Sequence, residues 1–328
     1  PIANLSSDGR GNFYEKFNYA TGGLFEPGST FKLITMIALL EDSNMELSDS
    51  IDTGNGEFKF YKNTVRDHEK GGLGKITVRQ AFEHSSNVAM ARLADKNFGL
   101  RPQKFMDHVE RLKIHQPLGI QITGEPHPKF KWPGQKGWSG ISLPWMAYGY
   151  GIEITPLHTL TMYNAVANNG KMIRPVFVES VKRADREKEN YETDVIVSKI
   201  CSDKTLNKVR LLLEGVVENG TAKGIKGTHY RIAGKTGTAQ NPHGYDHSVF
   251  MAFAPKENPK IAIAVYVENA GWGGRSAASI ASLMIERYLT GEVKRKPLEA
   301  YVLKGDFLDP VVRATPAAQS VPVNMDME

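Results

Sequence analysis

The sequence predicts a mixed α/β fold of the α+β kind, in which an antiparallel sheet is covered by helices. Three observations carry this. Residues 31–40 are apolar almost without interruption, and a helix with no polar face has to be buried. After residue 220 the pattern changes from helical to strand-like. Apolar stretches at 248–254 and 261–268 flank the tight turn Pro255-Lys256-Glu257-Asn258-Pro259, which reads as a hairpin within a sheet. Finally, the 328 residues are 41% hydrophobic and 23% charged, a globular composition long enough for one large domain or two modest ones. Those values exclude a collagen-like, disordered or disulfide-stapled chain.

Taken in order, residues 1–5 read as the end of a strand, turned by Ser7-Asp8-Gly9. A chain that opens inside a strand is expected to be a piece of a longer protein, with an export signal or membrane anchor in the part that precedes it. The first helix should span about residues 29–42, after Glu26-Pro27-Gly28. Residues 43–76 are rich in Gly, Asp, Asn and Lys, with a strand-like patch at 58–61, and are expected to be surface loops. A second helix opens with the capping box formed by Thr77 and Gln80, and a third ends at Phe98 before Gly99. Ser85-Ser86-Asn87 falls at the break between them.

Five prolines between 114 and 145 predict an irregular segment, in which Trp132, Trp138 and Trp145 are expected to pack. Thr155 is a helix cap followed by Pro156 at the first helical position, and Asn168-Asn169-Gly170 stops that helix. Another helix is expected over about 204–218, closed by Asn219-Gly220. Arg231-Ile232-Ala233 leads into the first strand of the sheet, and an amphipathic helix over 276–289 closes the domain. Residues 292–328 are charged, then rich in Pro, Ala and Val without periodicity, and read as a tail.

Charge and cysteine content narrow the chemistry. With 41 basic and 36 acidic residues the net charge is +5, too diffuse to indicate a nucleic-acid partner. The longest apolar run contains Lys32 and falls short of the roughly 18 residues a membrane span needs. The lone Cys201 has no internal disulfide partner, and no Cys/His cluster suggests zinc. His243 and His247 are four apart, but Pro242 and Gly244 oppose the helix that would place both rings on one face. No metal and no cofactor are expected.

Three short patterns carry reactive groups. Ser29-Thr30-Phe31-Lys32 places a hydroxyl and an amine three residues apart at a helix start, a spacing that brings the Cβ atoms within about 5 to 6 Å. Lys32 lies in an apolar turn, where desolvation disfavours its ammonium form and frees an amine to take the Ser29 proton. Taken alone the pattern is degenerate, and Ser29 as a cap with Lys32 reaching to solvent would explain it. Ser85-Ser86-Asn87 adds a hydroxyl and an amide, and Lys235-Thr236-Gly237-Thr238 continues a strand. The three patterns occur once each, in the order SxxK, SxN, KTG, the order of serine β-lactamases and penicillin-binding proteins.

On these residues the chain resembles the penicillin-binding transpeptidases, specifically their monofunctional class B branch. Glu26-Pro27-Gly28 before Ser29, Tyr148-Gly149 through Thr155-Pro156-Leu157, and Gly220-Thr221-Ala222 extend the resemblance. It implies a transpeptidase domain over about 1–291 and a tail over 292–328. The fold implied is that of penicillin-binding proteins and serine β-lactamases, with one sheet built from both chain ends and an all-helical lobe inserted before the KTG strand. Residues up to about 220 look closer to division-specific members and 247–289 closer to elongation-specific ones, so the subtype stays open.

By resemblance Ser29 is the acylated nucleophile and Lys32 its base. Ser85 relays a proton to the leaving amine, and Asn87 binds the substrate amide and the Lys32 ammonium. Lys235 and Thr236 hold the substrate carboxylate, Gly237 lets the strand approach closely, and the backbone N–H groups of Ser29 and Thr238 form the oxyanion hole. The reaction implied is D,D-transpeptidation of peptidoglycan stem peptides ending in D-Ala-D-Ala, with an amine acceptor and with β-lactams as mimics. The setting implied is the periplasmic face of the inner membrane, beside a membrane glycosyltransferase partner engaged through the part preceding residue 1. A serine β-lactamase or a β-lactam-sensing receptor shares the acylation groups. Asn87, where the oxacillinase pattern has an apolar residue, opposes both.

Overall fold

The apolar run of the first helix is buried, as its composition demands. In the computed structural model, which describes residues 5–15, 17–183, 186–227, 229–239, 245–271, 273–274 and 276–293, helix Lys32–Asp42 begins after one 3-10 turn, Gly28–Phe31. Leu33, Met36, Ile37, Ala38 and Leu39 expose no surface. Each such large apolar side chain contributes about 1.5–3 kcal/mol relative to exposure. Helices Asn87–Phe98, Pro102–Arg111 and Asp203–Glu218 pack around this helix. The turn that carries Ser29 is thereby anchored in the core. The expected start at residue 29 is thus a tighter turn, because Gly28 enters it at φ +52°.

Strands Ala233–Ala239, His247–Ala254 and Ile261–Val267 form an antiparallel sheet in that order. Lys235 stands opposite Met251 and Thr236 opposite Phe250. All eight residues of the middle strand are buried, so both its faces are covered. Helices Pro156–Ala167 and Ala277–Thr290 pack against it and against Ile261–Val267. Ala233–Ala239 packs instead on helix Asp203–Glu218 and on the turn Gly28–Phe31. The sheet therefore brings the KTG segment beside the SxxK segment from the other end of the chain.

The helices begin and end close to the expected places. Thr77 and Gln80 form the capping box, Thr155 caps Pro156–Ala167, and Ser202 caps Asp203–Glu218. Between the first helix and the KTG strand the inserted lobe is helical in its core. Trp132 and Trp138 pack against the core from the proline-rich segment, whereas Trp145 is exposed. Among the described residues no helix is long and apolar enough to cross a membrane.

Three expectations need correction or restriction. Residues 43–76 are not simply loops: Ser50–Asp52 pairs with Lys75–Thr77, and Glu57–Phe60 pairs with Asn63–Arg66. Phe60 and Val65 bury one face of the second pair. At the N-terminus Leu5–Ser7 pairs with Phe13–Glu15 as a separate hairpin, so the described part of the main sheet comes from the C-terminal third alone. Residues 1–4 and 294–328, which include nearly all of the expected tail, lie outside the described residues. Two further small pairs, Met172–Ile173 with Val195–Val197 and Ser180–Arg183 with Arg186–Asn190, carry no clear sequence signal.

Candidate active site

Ser29 lies in the 3-10 turn Gly28–Phe31, and the backbone around it leaves no spare room. A Cβ on Gly28 would fall 2.4 Å from Thr238 O, and one on Gly149 would fall 2.0 Å from Gly28 O. Gly28 N–H donates to Gly149 O at 3.1 Å. The turn is thus clamped between the KTG strand and the Tyr148-Gly149 loop. Glu26 holds the far side of that loop, accepting from Gly151 N–H at 2.8 Å. Burial raises the Glu26 pKa. Thr30 O–H donates to Pro27 O at 2.7 Å, and the buried Tyr163 hydroxyl donates to Thr30 O at 2.9 Å.

Lys32 sits at the start of the helix with no exposed surface. Its Nζ donates to Ser85 O at 2.6 Å, to Asn87 Oδ1 at 2.7 Å and to Ser85 Oγ at 3.1 Å. These bonds join the SxxK segment to the SxN segment. Among the described residues none joins Lys32 Nζ to Ser29, so the direct contact expected from the i,i+3 spacing is replaced by bonds across the lobe.

Ser85 and Asn87 straddle a break between helices for a local reason. Ser85 takes a left-handed φ of +60°, sparsely populated by residues other than glycine and common at functional sites. Ser86 then caps helix Asn87–Phe98 by accepting from Ala89 N–H at 2.9 Å. Asp67 completes this end. Its carboxylate accepts from Ser86 Oγ at 2.9 Å and from Val88 N–H at 2.9 Å, where a helix N-terminus favours an anion. Asn87 Nδ2 donates to Arg66 O at 3.0 Å. The amide's nitrogen is thereby turned to the hairpin and its oxygen to Lys32.

Lys235 is also fully buried. Its Nζ donates to Ser85 Oγ at 2.8 Å and to Thr236 O at 3.2 Å. A Cβ on Gly237 would fall 2.8 Å from Thr30 Cγ2, which explains the glycine after Lys-Thr. The hydroxyl of Ser85 therefore stands between two buried amines. Burial pushes the Lys32 pKa down to about 7, with the Asp67 carboxylate opposing. Burial, and then the charge of Lys32, hold Lys235 well below the ordinary lysine range. Both causes disfavour the doubly protonated pair, so a neutral amine is available at neutral pH.

Ser29, Ser85, Asn87, Thr236, Gly237 and Thr238 line one cleft, with the two lysines beneath it. The structure thus gathers all eight sequence-derived site residues. The cleft also takes in His68, His84, Tyr150, Thr221 and Asp246, which sequence reasoning did not single out as site residues. Thr221 and Tyr150 lie in segments noted for resemblance, and Asp246 directly precedes strand His247–Ala254. His68 and Asp67 come from the segment read as loops and carried no signal. A larger and more apolar groove, between Tyr19, Phe25, Leu157 and Tyr266, contains none of these amines or serine hydroxyls.

His247 and Cys201 do not line the cleft. His247 is buried with its ring 5.9 Å from that of Phe25. His243 lies outside the described residues. Burial raises the Cys201 thiol to about 12, so it is a poor nucleophile.

A family model described as "Penicillin binding protein transpeptidase domain" matches residues 4–286. The chain is 28% identical over 276 residues to Stage V sporulation protein D of Bacillus subtilis, covering 80% of this chain and 42% of that protein. It is 27% identical over 305 residues to peptidoglycan D,D-transpeptidase MrdA of Acinetobacter baumannii, covering 86% and 45%. It therefore spans less than half the length of these curated relatives. Among solved structures, the D,D-transpeptidase domain of a peptidoglycan glycosyltransferase from Eggerthella lenta superposes with a TM-score of 0.75 at 26% identity, covering 84% of this chain and 68% of that one.

Proposed function

Because the chain belongs to the penicillin-binding protein transpeptidase domain family, we propose that it is a serine-type peptidoglycan D,D-transpeptidase acting through an acyl-enzyme. The observation that carries the reading is the placement of Ser85 Oγ between the amines of Lys32 and Lys235, in the cleft that Ser29 lines. A capping serine and a solvent-seeking lysine would produce no such convergence.

In this reading Ser29 Oγ attacks the carbonyl of the terminal D-Ala-D-Ala bond. Neutral Lys32 takes the Ser29 proton, exchanging its bond to Ser85 Oγ for one to Ser29 Oγ, since catalytic hydrogen bonds are often completed only in the complex. Ser85 passes a proton to the departing amine, the C–N bond breaks and D-alanine leaves. An amine of a second stem then attacks the ester, and the same groups run in reverse to return the proton to Ser29. Asn87 binds the stem amide and steadies Lys32. Backbone N–H groups of Ser29 and Thr238 serve as the oxyanion hole, where one donor is typically worth about 2.7–4 kcal/mol of barrier.

The Thr236 hydroxyl binds the substrate carboxylate from the cleft wall, and Lys235 supplies positive charge from beneath. An arriving carboxylate favours protonated Lys235, and that charge in turn disfavours a proton on Lys32. Substrate binding thereby poises the base. β-Lactams acylate Ser29 as mimics of the same peptide. In this reading the transpeptidase domain comprises residues 1–291 and works at the periplasmic face of the inner membrane beside a membrane glycosyltransferase. Residues 292–328 form its tail.

A fluorescent penicillin should label the protein covalently, and Ser29→Ala should abolish labelling. A Ser29→Ala protein that still labels would remove Ser29 as nucleophile. Mass spectra of the adduct over hours separate the reactions: persistence supports the transpeptidase, while loss within seconds with hydrolysed product would make it a β-lactamase.

A further inference from the structure

The Gly220-Thr221-Ala222 segment reaches the cleft without a role in the reaction set out above. Thr221 Oγ1 lies 2.6 Å from Thr236 Oγ1, at the short end for a hydroxyl pair. Thr221 N–H donates to Glu83 O at 3.2 Å, two residues before Ser85. A Cβ on Gly220 would fall 2.2 Å from the same oxygen, and one on Gly274 would fall 2.4 Å from Thr221 O. The backbone of Thr221 is therefore set by its neighbours on both sides. Its half-buried side chain and the buried Thr236 share the cleft wall.

Each hydroxyl has one proton and two lone pairs, so across one O···O contact only one of the pair donates. If Thr236 gives its proton to Thr221, its lone pairs face the cleft and repel an anion. If Thr221 gives its proton to Thr236, the Thr236 proton is left for an acceptor in the cleft. A carboxylate only accepts, and its arrival selects the second arrangement. The resulting chain, from Thr221 O–H to Thr236 O–H to carboxylate, runs head to tail, so each bond polarises the next. Lys235 has no part in orienting that proton, because its Nζ bonds to Ser85 Oγ and to the backbone oxygen of Thr236.

We propose that Thr221 is a positioning residue that orients the Thr236 hydroxyl toward the substrate carboxylate by donating its own proton to Thr236 Oγ1. The proposal rests on the D,D-transpeptidase reading and adds to it a source of selectivity for substrates ending in a free carboxylate.

The test uses two N-acyl-D-alanyl thioesters, one whose leaving group carries a free carboxylate and one in which that carboxylate is methylated. Thr221→Val, which keeps the shape and removes the hydroxyl, should lower kcat/KM about three- to tenfold on the free acid. It should leave the methyl ester nearly unchanged, so the ratio between the two substrates falls. Thr221→Ser should restore the ratio, and Thr221→Val should add nothing in a Thr236→Val background. Equal losses on both substrates, no loss on either, or additive losses in the double variant would overturn the proposal while leaving the transpeptidase reading intact. If Thr221→Val does not fold, Thr221→Ala against Thr221→Ser makes the same comparison. A folded wild-type protein inert to both thioesters and to penicillin would overturn the transpeptidase reading, and the proposal with it.

Discussion

Ser85 has one hydroxyl and two buried amines against it, Lys32 at 3.1 Å and Lys235 at 2.8 Å, so the charge state of that pair governs the chemistry. In the proposed mechanism acylation requires neutral Lys32, whose pKa burial holds at about 7. Acylation by penicillin should therefore fall on the acid side, with a midpoint near pH 7. The Asp67 carboxylate raises the Lys32 pKa, so Asp67→Asn should move that midpoint to lower pH. Stopped-flow acylation across pH 5–9 checks both, and an unchanged or raised midpoint in Asp67→Asn would show that Asp67 does not tune Lys32. The candidate residues that converge on Ser85 were legible in sequence because SxxK, SxN and KTG are local patterns. Asp67 was not. It meets Ser86 and Val88 only through folding, and an aspartate in a polar loop looks like any other.

At the level of elements, the turn that carries Ser29 depends on two backbones touching. Gly149 sits at φ +92° and a Cβ there would fall 2.0 Å from Gly28 O, whereas Gly134 sits at φ +82° with nothing within 4 Å. Both glycines avoid the left-handed penalty that other residues carry, but only Gly149 also avoids a clash with backbone. Gly149→Ala should thus destabilise the protein by about 1–3 kcal/mol more than Gly134→Ala and slow acylation, because it displaces Gly28 next to Ser29. Thermal unfolding of the two variants makes the comparison, and equal melting temperatures would contradict the clamp. Helix ends were readable because Thr77, Thr155 and Gly99 act locally as caps and stops. The hairpin of Glu57–Phe60 and Asn63–Arg66 was less readable, because only Phe60 and Val65 are buried in it.

Across the whole molecule, two buried lysines carry a stability cost that depends on pH. Lys32 has a folded pKa of about 7 against roughly 10.4 unfolded. Its cost is absent above the unfolded value, grows as the pH falls, and is complete below about 7. Relative to Lys32→Met, the wild type should therefore gain on the order of 3 kcal/mol between pH 7 and 10. Urea unfolding of both at pH 7 and 9.5 reads this gap, and a gap constant with pH would show that Lys32 is not charged at a cost in the fold. The sequence by itself determined the buried first helix, the three antiparallel strands and the closing helix, and it offered the eight candidate residues that the fold gathers at one cleft. Each of these follows from periodicity, caps or a short motif within a few neighbouring residues. Only the tertiary structure decided that Lys32 bonds to Ser85 and Asn87 rather than to Ser29, that Asp67 stands behind them, and that Thr221 meets Thr236. Those contacts join segments distant in sequence, and they exist only once burial of the first helix and closure of the sheet have brought the two ends of the domain together.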